Sequence, residues 1–314
     1  MANDLLKWDG NPQTIRLVSR LQVLSDEFGL NLTCGTMSAA MKYTAPSHET
    51  DDTQHERSKP GFFASEEERV QRVRELVGTG TARNPITFLV EASDDIVYSA
   101  VDLEDGVKKR TLRWSELEKQ LIAAVGKDDP HLRKALQLAT DKIGAGFSGQ
   151  DRDELIVQAF RTYAIIEFVI SVEQEFKKEY DSIMSGDYHF ELTTRCSAAK
   201  FIQACKDIAR EAVYKSRDIM TVELTGRRVI QDLLTIFWEG ASKGHTQNHR
   251  GFEGKAYLLM SANYRRSFEQ QLAAIRTGTA KLKEEYLRIQ LVCDYIAGMT
   301  DSFAADLHRN LTNA

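Results

Sequence analysis

The sequence predicts an all-α protein. Two observations carry this: only five prolines interrupt 314 residues, and apolar residues recur at helical spacing through most of the chain. The composition is that of a globular protein, 42% hydrophobic and 28% charged with a net charge of −5. It does not favour a dedicated nucleic-acid binder. No uninterrupted apolar run is long enough to span a membrane, and "MANDLLKWDGN" lacks the basic and apolar regions of a signal peptide. Four cysteines, Cys34, Cys196, Cys205 and Cys293, form no CxxC pair. A reducing cytoplasm is the expected compartment, without a disulfide framework.

The elements follow in order. "TIRLVSRLQVLSDEFG" reads as an amphipathic helix stopped by Gly29. Thr33 is the N-cap of a short helix ending near Lys42 and Tyr43. Residues 44–60 are polar and bounded by prolines, which predicts a surface loop. "SEEERVQRVRELVG" opens with a serine and three glutamates, a helix N-terminal signal. Pro85 sits where proline is tolerated, at the start of the helix carrying "FLVEASDDIVYSAVDLED". Beyond residue 110 the pattern predicts helix after helix: residues 113–126, 129–144, 151–180, 196–214, 227–240, 278–299 and 300–311. Two stretches, 188–194 and 220–226, read as short strands or extended linkers. The expected domains are 1–110 and 111–314.

Several motifs fail their physical tests. "GAGFSG" (144–149) follows a helix, not the strand that a dinucleotide loop needs, and reads as a helix–helix loop. "VGTGTAR" lacks the Gly-Lys-Ser/Thr end of a P-loop. His245 and His249 in "HTQNH" have metal-ligand spacing, but the segment reads as an exposed loop, as do His48 and His55. No Ser-His-Asp arrangement can be assembled from sequence order, and no cysteine has a neighbour that makes it a thiolate.

Residues 88–105 are different. Glu91, Asp94, Asp95, Asp102, Glu104 and Asp105 crowd one segment that contains no Lys or Arg. Asp94, Tyr98 and Asp102 lie at i, i+4 and i+8, and so share one helical stripe. Such a stripe can ligate a hard divalent ion, stack on a sugar or base, and accept from a ligand hydroxyl. The plainer reading is the wet face of an amphipathic helix. Lys42, Tyr43 and Lys59 could meet an anion.

"WDGNPQTIRLVSRL", "GLNLTCGTMSAAMKY", "SKPGFFASEEERV", "RNPITFLVEASDDIVYSAVDLEDGV", "VELTGRRVI" and "LVCDYIAGMTDSFAADLHR" occur in this order. This set resembles the bacterial dGTP triphosphohydrolases, HD-domain enzymes, from about residue 8 onward. The resemblance implies a helical HD core with a helical C-terminal region, often in hexamers or other homo-oligomers. It implies cleavage of a dNTP to deoxynucleoside and tripolyphosphate with Mn²⁺ or Mg²⁺. By position, Asp94 matches a metal ligand, Tyr98 a residue packing on deoxyribose, and Asp102 one that reads its 3′ hydroxyl. Lys42, Tyr43 and Lys59 match triphosphate contacts, Asn11 a site asparagine, and Glu223 an acid near the base or a regulatory region. Basic pairs such as Arg227 with Arg228, and Arg265 with Arg266, would permit contact with single-stranded DNA.

The family's remaining ligands, a His and a His-Asp pair, and its catalytic His and Glu are expected upstream of these residues. None of the seven histidines here is followed by Asp. The chain alone is therefore expected to be inactive and to need an HD segment. The alternative is a non-catalytic, nucleotide-binding paralogue that regulates a full-length enzyme. Loss of the HD helices should also leave apolar faces of the 11–28 and 86–105 helices uncovered.

Overall fold

A computed structural model describes residues 1–22, 28–141, 147–244 and 251–312. "HTQNH" and the first half of "GAGFSG" lie outside them. Among the described residues there are sixteen α-helices, two short π-helical turns, and one pair of very short parallel strands. The all-α expectation holds. The chain forms two compact units, Met1–Arg83 with Glu223–Ala314, and Asn84–Val222. Residue 110, the boundary expected from sequence, lies inside the second unit.

In the first unit, α1 (Ala2–Leu6) and α2 (Gly10–Arg16) lead into a π turn, Leu17–Leu21. The helix expected over 14–29 is thus shorter and starts earlier, because Asp9 caps it by accepting from the Asn11 N–H. Then come α3 (Cys34–Ala39), β1 (Ala45–Pro46), β2 (Pro60–Phe62) and α4 (Glu67–Val77). Ile15, Met37, Met41, Phe62, Val70 and Val73 form one small core. The later helices of this unit pack around Leu233, Phe237, Tyr257, Phe268, Leu287 and Leu291. They include α13 (Phe252–Leu259), α14 (Ala262–Arg276), α15 (Glu284–Ala297) and α16 (Asp301–Thr312).

A buried polar network ties the early and late segments of this unit together. Arg16 is 2% exposed and forms a two-pronged bond to Asp294, with Nη2–Oδ2 at 2.7 Å, and a further bond to Glu66 at 2.8 Å. Arg20 also reaches Glu66, at 2.9 Å. Gln13 donates to Asp294, and Tyr286 donates to the buried Asp4. The paired carboxylates hold the Arg16 guanidinium charged, raising its pKa against the pull of burial.

The second unit is built on α5 (Pro85–Lys108) and α8 (Gly149–Lys178), which pack on each other. Asn84 caps α5 by accepting from Ile86 N–H at 3.0 Å, with Pro85 at the first helical position. The other helices are α6 (Trp114–Val125), α7 (Pro130–Asp141), α9 (Tyr180–Ser185), α10 (Leu192–Arg195) and α11 (Ala199–Ala209). α11 runs on into a second π turn, Arg210–Tyr214. At the centre of a single large core, Phe201 meets Phe168 edge-on and Phe160 at a tilt. By length and composition α8 could cross a membrane, although Arg161 and Glu167 interrupt its apolar run. Ile156, Val157, Phe160, Ala164 and Phe168 are nevertheless fully buried in the unit core, as in the central helix of a globular protein.

Two sequence expectations need correction. Residues 220–226 are helical, part of α12 (Arg217–Lys243), within which the division between units falls. The alternation of Met220, Val222 and Leu224 suggested a strand, but all three are exposed and the segment is carried within the long helix around it. Residues 192–195 are likewise a short helix, and only 188–191 are irregular. The uncovered apolar faces appear on α5, where Ile86, Leu89, Val90 and Val97 are exposed. On the expected 11–28 stretch, Ile15 and Leu21 are buried and Phe28 is exposed, while residues 23–27 lie outside the described residues.

Candidate functional site

The six acids of α5 divide by what serves them. Asp95 takes a bond from Thr193 Oγ1 at 3.0 Å and an ion pair from Lys206 at 3.0 Å. The buried Glu104 is paired with Arg161 at 2.7 Å and Lys108 at 2.6 Å. Asp105 meets Lys109 at 3.6 Å, and Glu91 is buried. Asp102 is half-buried and accepts a hydrogen bond from the Tyr214 hydroxyl. Asp94 is exposed, with no ion pair or hydrogen bond from its carboxylate among the described residues. Tyr98 is 60% exposed. The stripe Asp94–Tyr98–Asp102 is therefore the solvent side of a helix whose other side is core. Most of its carboxylates have internal partners, and Asp94 keeps its oxygens available. A carboxylate in that state suits a hard divalent cation as one ligand of several.

Tyr214 was not legible in the sequence. It lies on the π turn after α11, and π turns are frequent at functional positions. Gly106 makes its approach possible, since a Cβ there would lie 2.6 Å from Val213 Cγ2. Partial burial, and then the Asp102 carboxylate, push the Tyr214 phenol up to about 12. It stays protonated and donates to Asp102.

In the first unit, the four predicted residues form one connected group. Tyr43 is buried, and the Lys42 and Lys59 ammonium groups lie 5.9 Å and 6.0 Å from its ring centroid. Lys59 is 3.7 Å from Asp9, which in turn holds Asn11 through both its backbone and side-chain N–H groups. Asp9 was missed, although an aspartate ahead of a helix is a readable capping signal. Strand pairing sets the position of Lys59. β1 and β2 pair Ala45 with Pro60, and Gly61 lies against Tyr43, where a Cβ would come within 1.9 Å of the carbonyl oxygen. Two lysines at one aromatic ring form a compact positive site suited to phosphate oxygens. Glu223 is exposed on α12 and joins neither group by a hydrogen bond or ion pair among the described residues.

Comparison with known proteins gives two kinds of match. Residues 194–310 match the family model described as a phosphohydrolase-associated domain. A deoxyguanosinetriphosphate triphosphohydrolase-like protein of Listeria monocytogenes is 29% identical over 314 residues, covering 99% of this chain and 66% of the relative. Deoxyguanosinetriphosphate triphosphohydrolases of Yersinia enterocolitica and Klebsiella pneumoniae are each 30% identical. These matches cover 100% and 99% of this chain, and 65% and 64% of the relatives. The chain thus spans slightly less than two thirds of the length of these relatives.

Proposed function

For this chain, a homologue of the dGTP triphosphohydrolases along nearly its whole length, we propose the role of the nucleotide-binding part of a dNTP triphosphohydrolase. The substrate is dGTP or another dNTP, and the products are the deoxynucleoside and tripolyphosphate. The observation that supports this reading is the split within the aspartate pair: Asp95 is tied to Lys206 and Thr193, whereas Asp94 stays available beside Tyr98.

Tyr98 offers its ring to the deoxyribose, and Asp102 accepts from the sugar hydroxyl. Lys42 and Lys59 offset phosphate charge, with Tyr43 and Asn11 completing that group. Glu223 is read as an acid near the base. A bound Mn²⁺ or Mg²⁺ would activate the attacking water and offset charge on the phosphate. Asp94 is one of its ligands, and such sites need three or more protein ligands. The other ligands, with the catalytic His and Glu, come from an HD segment not among these residues. We read the protein as a cytoplasmic homo-oligomer, the hexamer being one of the forms the resemblance implies. Single-stranded DNA would meet Arg227, Arg228, Arg265 and Arg266.

The test is tripolyphosphate release from dGTP with Mn²⁺, with and without a separately expressed HD segment from a close homologue. Release only with the added segment is expected. Release by the chain alone would overturn the ligand inventory. Nucleotide binding without release in either case would replace this reading with that of a regulatory paralogue.

A further inference from the structure

The second unit holds a second constellation, away from the α5 stripe in sequence and unused by the function proposed above. His131 stands in the first turn of α7, set there by Asp129, which accepts from the Leu132 N–H at 2.9 Å. Its Nδ1 is 3.0 Å from Glu167 Oε2, and its Nε2 is 2.9 Å from Ser197 Oγ. Glu167 projects from α8 and is 5% exposed. Lys134 pairs with its other oxygen. Ser197 is exposed and lies just before α11, the positive end of that helix. Ser171 Oγ, which accepts from the Ala198 N–H at 2.8 Å, is 2.9 Å from Ser197 Oγ.

The hydrogen bonds run in one consistent direction. Ser171 accepts from a backbone N–H, so its own proton can go to Ser197 Oγ. Ser197 can then donate to His131 Nε2, and His131 Nδ1–H to Glu167. Burial opposes the charge on Glu167, but Lys134 and His131 outweigh it and hold the carboxyl below its usual range. An ionised Glu167 fixes the tautomer that leaves His131 Nε2 as a base toward an accessible hydroxyl. Nucleophile, base and orienting carboxylate come from three separate elements, which is why sequence order hid them.

We propose that Ser197 is a nucleophile toward small activated acyl esters, with His131 as its general base and Glu167 as the positioning residue. Ser197 Oγ bonds to the acyl carbon, and its proton passes to His131 Nε2. The bond from the acyl carbon to the leaving oxygen breaks, and that oxygen takes the proton. Water, deprotonated by His131, then attacks the acyl-serine, releasing the carboxylic acid and restoring Ser197. The exposed setting of Ser197 favours compact substrates with good leaving groups.

The test uses the intact chain and a fluorophosphonate probe, which bonds to serine Oγ with loss of fluoride. Peptide mass mapping of the unmutated protein is expected to find the adduct on Ser197. A positioned base contributes about 10²–10⁴-fold, so H131Q should slow labelling at least about 100-fold, and S197A should abolish it. E167Q should slow it, and E167D should recover part of the rate. Thermal melts of each variant separate loss of the relay from loss of fold. Labelling spread over other serines, or equal labelling of folded H131Q, would overturn the proposal. So would an unlabelled Ser197 in the unmutated protein, since that result depends on no substitution. p-Nitrophenyl acetate hydrolysis, with the same ranking of variants, is the turnover readout. It is independent of tripolyphosphate release.

Discussion

Arg16→Ala removes the guanidinium bonded to Asp294, a carboxylate 1% exposed. The consequence can be worked group by group. Glu66 keeps Arg20 at 2.9 Å, so its charge stays compensated. Among the described residues Asp294 then keeps the Gln13 amide at 3.0 Å, a neutral donor. One buried charge is thus left unpaired, and breaking a buried pair from one side costs about 3–5 kcal/mol. For a unit of this size that corresponds to a melting temperature lower by about 6–20 °C, at about 2–4 °C per kcal/mol. The sign of the pH dependence follows. Unpaired and buried, Asp294 has a folded pKa well above its unfolded value near 3.8. Its penalty is absent below that value, where both states are protonated, and grows as pH rises through the folded pKa. The gap between variant and parent should therefore be wide at neutral pH and narrow toward pH 4. Circular dichroism melts across that range measure it. Arg16→Met with Asp294→Leu should recover much of the loss, because a packed apolar pair needs no counter-charge. A loss under about 1 kcal/mol at neutral pH, or a gap that widens in acid, would refute the reasoning.

Other outcomes follow from the same geometry. Asp94→Asn should leave the melt within about 0.5 kcal/mol, as for an exposed position without partners. It should cut reconstituted tripolyphosphate release at least 100-fold, since disturbing only the outer partners of a metal site costs about 10–100-fold. Tyr214→Phe removes one hydrogen bond to Asp102, should lower stability by about 0.5–1.5 kcal/mol, and should raise KM for the dNTP by freeing Asp102 from its set position. Gly61→Ala should force β2 from the Tyr43 carbonyl, lower stability by about 1–3 kcal/mol, and weaken triphosphate binding through Lys59. Glu167, whose folded pKa is depressed, contributes stability above its unfolded value of 4.5 and loses it as pH falls through the folded pKa. Glu167→Gln should flatten that part of the acid melting curve.

Helices with strong local signals were legible. Asn84 and Pro85 announce α5, and Thr33 caps α3, as its 3.2 Å bond from Thr36 N–H confirms. Residues 220–226 were not, because Thr221, Val222 and Thr225 carry β-propensity that the longer helical register overrides. The grouping of Lys42, Tyr43 and Lys59 was legible through family resemblance, and their geometry rests on a two-strand pairing too short to read. Tyr214, Arg16 and the Ser197–His131–Glu167 relay depend on contacts between distant segments. Local periodicity carries no information about those contacts.

The buried ion pair also sets an order of events. Arg16 and Asp294 stand 278 positions apart, and at about 5–20 residues per second a ribosome needs about 14–56 s to cover that span. Through that interval Arg16 lacks one of its two buried carboxylate partners, and the first unit lacks the helices that pack around Phe237, Phe268 and Leu291. The second unit is one uninterrupted stretch, Asn84–Val222, and its buried core residues, from Phe88 to Ala209, all lie within it. Vectorial synthesis therefore favours completing the inserted unit while its host is still open. A nascent chain arrested before residue 294 would expose the first unit to chaperones and proteases, with the second already closed.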